Sequence, residues 1–196
     1  MRFASFLSGA ALCLLAACGP AEPAIAPAGP LPPPENLARP PQPPEAVELT
    51  AEAAARRAEI LQHAERGALR SLARLADDQA GFVSNFGGQS HWQYWDLLRR
   101  TGVDPNRLLR DLFSEPPGIR IVDGDTWFVW PDLAARDVRD LVPEKMTFIE
   151  RRRLEDLVGP DGIGRIRAGE GYPGMRTAIS ADGRWVYFVL GQNGEE

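Results

Sequence analysis

His91 is one of two histidines in the chain, and its neighbours could support acid–base chemistry. An imidazole can act as a general base at neutral pH when a carboxylate orients it. Asp96 and Asp132 are the carboxylates considered for that role. No Gly-x-Ser-x-Gly nucleophile motif is present. His91, Asp96 and Asp132 are therefore the catalytic candidates, beside the simpler interpretation that His91 is bonded locally at a helix start.

Tryptophan is the second residue type with chemical potential, and the chain has five of them. Aromatic ring faces can stack on sugars or pack against an apolar ligand. The tryptophans predicted to bind a ligand are Trp92, Trp95, Trp127 and Trp130. The alternative is that these rings build the hydrophobic core. A pocket with exposed tryptophan edges would favour ligand binding, whereas a fully buried cluster would contradict it.

Several other chemistries are not favoured. Asp123-Gly124-Asp125 lacks the spaced acids and distant glutamate of a calcium loop, so it is interpreted as a turn. The glycine-containing stretch 159–164 lacks the Lys-Ser/Thr end of a phosphate loop. Cys13 and Cys18 are the only cysteines. We therefore predict no metal site and no cofactor. The net charge of −5 also argues against nucleic-acid binding, which needs a basic surface.

The N-terminal segment has the features of a secretion signal. Arg2 precedes the apolar segment Phe3–Leu15, which is shorter than the about 20 residues that span a bilayer. The following Leu15-Ala16-Ala17-Cys18 resembles the lipobox of bacterial lipoproteins. That resemblance implies removal of residues 1–17 as a signal peptide and acylation of Cys18, with chains such as palmitate. The alternative is an ordinary signal peptide cut near Ala17, which leaves a soluble periplasmic protein.

The resemblance also implies a location. In lipoproteins of this kind a mature second residue other than aspartate favours the outer membrane, and Gly19 stands there. We therefore expect a lipid-anchored, periplasm-facing protein of the outer membrane.

Residues 18–45 form a predicted linker, and residues 20–44 contain eleven of the 18 prolines. Proline fixes φ and removes the N–H donor, so we expect an extended spacer that reaches at most roughly 75 Å. A polyproline ligand for a partner is the alternative interpretation. A single domain is predicted over residues 46–192, and residues 193–196 are a tail.

Helix-start signals recur through the predicted domain. Thr50, Ser90 with Gln93, Asp104 with Pro105, and Thr147 with Glu150 are the expected N-terminal caps. Gly67 is expected to divide the first long helical segment into two helices. The residues of the last long helix predicted to face the core are Phe148, Ile149, Leu154 and Leu157.

Two Asp-Gly turns predict two β-hairpins. The first turn is Asp123-Gly124 and the second is Asp182-Gly183. The segment Trp185–Leu190 is apolar on both faces, which is typical of a central strand or an interface. The predicted fold is therefore α+β, with N-terminal helices packed on a small antiparallel sheet built from two β-hairpins.

Two family resemblances accompany this prediction. Phe86-Gly87-Gly88 and the Asp-Gly-Arg-Trp-x-Tyr-Phe stretch at 182–188 resemble secreted NTF2-like domains. That resemblance implies a hydrolase or isomerase in which His91 works with an aspartate. The segments Phe82–Pro105 and Trp127–Asp132 more closely resemble uncharacterised lipoproteins of alphaproteobacteria, a family that implies no activity.

Three functions follow as hypotheses. The first is a non-enzymatic envelope lipoprotein, a tethered domain that binds an envelope protein or peptidoglycan or supports an assembly. The second is a glycan or small apolar ligand binder that uses the tryptophans. The third is the NTF2-like hydrolase or isomerase, which requires His91 to face a concave apolar pocket within hydrogen-bond reach of a carboxylate.

Overall fold

The computed structural model describes residues 46–191. The predicted signal peptide, Cys18, the predicted linker and the predicted tail 193–196 lie outside the described residues. The helices are α1 (Ala51–Glu65), α2 (Leu69–Asp77), α3 (His91–Arg100), α4 (Pro105–Ser114) and α5 (Phe148–Arg167). The strands are β1 (Gly118–Val122), β2 (Asp125–Trp130), β3 (Met175–Ser180) and β4 (Trp185–Leu190). Within residues 46–191 no helix is both long and apolar enough to cross a membrane.

The four strands form one antiparallel sheet in the order β1-β2-β3-β4. The two predicted hairpins are its halves, joined by the pairing of β2 with β3. Asp123 and Gly124 have φ values of 52° and 89°, the left-handed pair that a type I′ turn requires. The predicted α+β fold, with helices mostly N-terminal to a small antiparallel sheet, is confirmed.

The sheet is covered on both faces. Phe128, Trp130 and Ile179 belong to the core cluster that includes the buried residues of α1 to α4. The alternate residues Val129 and Ala178 belong to a second cluster with side chains of α5. Because successive residues of a strand point to opposite faces, β2 and β3 contribute to both clusters. α5 therefore covers the sheet face opposite the N-terminal helices.

The helices begin where the sequence predicts. Thr50 accepts a hydrogen bond from the Ala53 amide, and Ser90 accepts one from the Gln93 amide. Asp104 caps α4 in the same way. At α5 the Thr147 hydroxyl and the Glu150 carboxylate complete a reciprocal capping box. Hydrogen bonds from Arg136 and Thr147 lower the pKa of Glu150 to about 2, so its carboxylate stays charged at this helix start.

Two glycines interrupt the helices. Gly67, with φ of 66°, separates α1 from α2, and its left-handed conformation suits a residue without Cβ. Gly159, also with φ of 66°, introduces a kink in α5 immediately before Pro160. The turn at Gly67 forms one wall of the groove described below.

Of the two alternatives predicted for Trp185–Leu190, a central strand or an interface, the central position is wrong, because β4 is an edge strand of the sheet. Its outer edge is covered by a loop segment rather than by another strand. Val83 forms a parallel bridge with Tyr187, and its amide donates to the Val186 carbonyl at 3.2 Å. The Phe188 amide in turn donates to the Val83 carbonyl at 2.9 Å. This segment therefore pairs with backbone N–H and C=O groups at the edge of β4. It also places Ser84 near the start of α3.

The prediction that Phe148 and Ile149 face the core is also wrong, since each is 73% exposed. Leu154 is buried and defines the inward side of α5. At about 100° per residue, Phe148 and Ile149 lie roughly 120° and 140° around the helix from Leu154. Both side chains therefore point away from the sheet, although the capping box before them is correctly predicted.

Candidate functional site

The α2–α3 groove is an open cavity of about 590 Å³ between the turn before α2 and one face of α3. α3 contributes Trp92, Asp96 and Arg99, which lie on one face because they are spaced by four and three residues. The full lining is Gly67, Ala68, Leu69, Arg70, Trp92, Asp96, Arg99 and Arg100.

A stacked cation forms one side of this groove. The guanidinium carbon of Arg70 lies 4.6 Å from the centroid of the Trp92 ring. At this distance the cation is attracted to the electron-rich ring face, which holds the two side chains against each other. Trp92 remains partly exposed. The groove therefore presents an aromatic surface beside a positive charge.

α3 also contributes a buried carboxylate, Asp96, to the groove lining. The Asp96 side chain is 7% exposed and accepts hydrogen bonds from Arg99, at 2.8 Å, and from Arg100. These two hydrogen bonds lower the pKa of Asp96 below its usual range. Both arginine side chains are largely exposed. With Arg70, the lining carries three positive charges against one negative charge.

His91 lies in a different environment, at the start of α3. Its Nδ1 is hydrogen-bonded to the Ser84 hydroxyl at 2.7 Å, and its ring meets Phe82 edge-on at 4.9 Å. Its Nε2 is 3.9 Å from an oxygen of Asp77, which is longer than a hydrogen bond. The carboxylate nearest to this ring is thus Asp77, which the sequence analysis did not consider.

The three predicted catalytic residues do not converge. Asp96 is five residues after His91, which places it about 140° around α3 and directs it to the arginines. Asp132 follows β2 and pairs with Arg153, which also bonds Glu115. The proposed pairing of His91 with Asp96 or Asp132 is therefore not supported by the structure.

Ser84 is not placed as a nucleophile. The residue is 1% exposed, and its hydroxyl also accepts a hydrogen bond from the Asn85 side chain at 3.1 Å. A substrate carbonyl has no open approach to a serine buried in this way. The Ser84–His91 bond instead fastens the segment that covers β4 to the first turn of α3.

The predicted tryptophan cluster is divided among three places. Trp95 and Trp130 are buried in the core beneath the helices, so neither offers a ring face to a ligand. Trp127 packs against Tyr187 on the other side of the sheet. Trp92 is the one of the four that lines the α2–α3 groove.

Arg70, Arg99 and Arg100 were not predicted as groove residues. Arginine on an amphipathic helix is usually solvated, and nothing in the spacing of α2 predicts which ring Arg70 contacts. Predicting this contact would have required knowing that α2 packs on α3. Across residues 46–191 no group of three or more potential metal-ligating side chains is arranged to hold an ion.

Comparisons with family models, with curated proteins and with solved structures found no match for this chain. The site is therefore interpreted from its own chemistry. An open groove with one aromatic ring and three guanidinium groups can bind a polar ring compound. The Ser84 hydroxyl is buried, and its partner His91 is only partly exposed.

His91 should titrate below its ordinary pKa of about 6.5, because burial disfavours the charged ring more than Asp77 favours it. Asp77→Asn should lower the pKa further by removing the opposing charge. His91 binds a proton more readily in the unfolded chain than in the folded one. It should therefore reduce the stability of the fold as pH falls below 6.5. An NMR titration of the imidazole signals measures both values, and a pKa above 6.5 in the wild-type protein would contradict the described burial.

Proposed function

We propose that this protein is a lipid-anchored binding module of the bacterial cell envelope, attached through Cys18 and binding through the α2–α3 groove. The observation that carries the binding role is the groove itself. It presents three exposed arginines beside the partly exposed Trp92 ring, whereas the Ser84 hydroxyl, the nucleophile candidate nearest His91, is buried. This contrast favours recognition over hydrolysis.

The tether supports an envelope role. The segment Leu15-Ala16-Ala17-Cys18 and the following proline-rich residues are what a lipid anchor and its spacer require. Several acyl chains would hold the protein stably, since a single chain binds a bilayer only marginally. A spacer of up to roughly 75 Å would let the domain reach structures well beyond the headgroups. We propose the periplasmic side of the outer membrane as its place.

Peptidoglycan is the proposed partner. Its sugar rings can pack against the part of Trp92 that Arg70 leaves exposed, and its hydroxyl and carboxylate groups match the guanidinium donors of the groove. The partly exposed ring and the exposed arginines lie on one continuous surface, so a single glycan could contact both.

Co-sedimentation with purified peptidoglycan sacculi tests this proposal. The mature chain carrying Cys18→Ala avoids lipid-driven aggregation and should pellet with the sacculi. Trp92→Ala should weaken binding roughly fivefold, since one aromatic contact contributes about 1 kcal/mol. Trp127→Ala is the matched control, because it removes a partly exposed tryptophan outside the groove.

The control should bind like the parent chain. Failure of the parent chain to pellet would overturn peptidoglycan as the partner. Pelleting that is unchanged by Trp92→Ala would show that the α2–α3 groove is not the binding surface.

A further inference from the structure

We infer that the α2–α3 groove recognises an oxyanion, a carboxylate or phosphate group, carried on a sugar-sized ligand. This inference rests on the proposed function and names the chemical group that the groove selects. The groove residues that carry it are Arg70, Arg99 and Arg100, with Trp92 as the ring platform.

The local charge is opposite to that of the whole chain. The full sequence has a net charge of −5, whereas the groove lining has three arginines and one aspartate. Asp96 is already paired with Arg99 and Arg100, so its charge is compensated within the groove. A net excess of two positive charges remains on a concave surface, which attracts an anion.

The arginines keep donors for a ligand. A guanidinium has five N–H groups, and Arg99 and Arg100 each direct one nitrogen to Asp96. Their largely exposed planes can present the remaining N–H groups to a carboxylate or phosphate, which both suit the arginine fork. Asp96 therefore acts as a positioning residue that holds two forks at the rim of the groove.

Arg70 is the strongest indication that the positive charge serves a ligand. Among residues 46–191 no carboxylate lies within ion-pair distance of its guanidinium, which stacks on Trp92 instead. A charge held by stacking alone leaves its edge donors available. An oxyanion bound at that edge would place an attached sugar ring close to the indole.

The start of α2 adds a smaller favourable contribution. Ala68, Leu69 and Arg70 are the N-cap and first two residues of this helix, and all three line the groove. Alanine has no side-chain acceptor, so no side chain caps this end. The amides of Ala68, Leu69 and Ser71 already donate to backbone carbonyls. The contribution of this helix start is therefore the positive end of its dipole, which favours a nearby anion.

Binding of three related sugars tests the inference directly. The mature Cys18→Ala chain is titrated by tryptophan fluorescence with N-acetylmuramic acid, N-acetylglucosamine 1-phosphate and neutral N-acetylglucosamine. At least one charged sugar should bind ten or more times more tightly than the neutral one. The carboxylate and phosphate arms distinguish a peptidoglycan source from a phosphorylated glycan source.

Charge variants localise the effect. Arg70→Gln and Arg99→Gln should each weaken binding of the preferred charged sugar about tenfold and leave the neutral sugar unchanged. Arg107→Gln is the matched control, since Arg107 is also an exposed helical arginine, on α4 and outside the groove. Circular dichroism melting curves should coincide for the three variants, which would separate lost binding from lost folding.

Equal binding of charged and neutral sugars would overturn the inference, as would an equal loss in Arg107→Gln, because that result reports overall charge. A different result would contradict the proposed function. Sacculi that pellet with a Trp92-dependent domain but show no charge preference would refute only the anion site. Charged sugars that bind without any pelleting of sacculi would refute only the peptidoglycan partner.

Discussion

Replacing Trp95 by alanine should lower the free energy of unfolding by about 3–5 kcal/mol, the range typical of a buried aromatic truncated to alanine. Trp95 has no exposed surface, and its ring lies about 6 Å from the rings of Phe82, Trp185 and Phe188. These contacts join α3, the segment that covers β4, and β4 itself. Because a typical domain has only about 5–15 kcal/mol of stability, this substitution should leave the fold marginal.

Urea denaturation followed by circular dichroism measures this loss. Trp95→Phe is the informative second variant, because the buried indole nitrogen has no hydrogen-bond partner. Phenylalanine keeps a ring and sacrifices no hydrogen bond, so it should recover more than half of the loss. Trp92→Ala should cost about 1 kcal/mol, since this ring is partly exposed. A Trp95→Ala variant as stable as the wild-type protein would contradict the described core.

Local sequence signals predicted the elements well. Thr50, Ser90, Asp104 and Thr147 cap four helices because their side chains bond amides within the next three residues. The first Asp-Gly turn is equally local, because its left-handed conformations depend on two adjacent residues. The fold class could be predicted from these elements, because local residues mark where the helices start and where the hairpins turn.

The site was harder to predict because it depends on contacts between elements. His91 and Asp96 are close in sequence, yet the phase of α3 directs them to different neighbours. Arg70 faces Trp92 only because α2 and α3 pack together after the Gly67 turn. Similarly, Trp95 and Trp92 belong to the core and to the groove respectively, although three positions separate them.

The dependence on contacts between elements also explains the two wrong predictions about the fold. Trp185–Leu190 is apolar on both faces, which suggested a central strand, but a loop segment at Val83 covers its edge instead. Phe148 and Ile149 are apolar and follow a correct cap, but the phase of α5 turns them outward. Hydrophobicity alone did not indicate which neighbour, if any, would cover these residues.

Replacing Cys18 by alanine should abolish membrane attachment. Lipidation of a mature N-terminal cysteine requires its thiol, and Cys13, the other cysteine, lies within the predicted signal peptide. Each buried CH₂ of an acyl chain contributes about 0.8 kcal/mol to membrane binding, so several chains anchor a protein stably. The variant should therefore shift from complete membrane association to the soluble fraction, while its folded domain stays unchanged.

Intact mass spectrometry with membrane fractionation, applied to wild-type and Cys18→Ala protein expressed in a bacterial host, tests the central claim most directly. We expect the wild-type protein to gain acyl mass and to sediment with outer membranes, whereas the variant should carry no added lipid and stay soluble. Wild-type protein that is soluble and lacks acyl mass would contradict a lipid-anchored envelope module. The groove would then belong to a domain that diffuses freely.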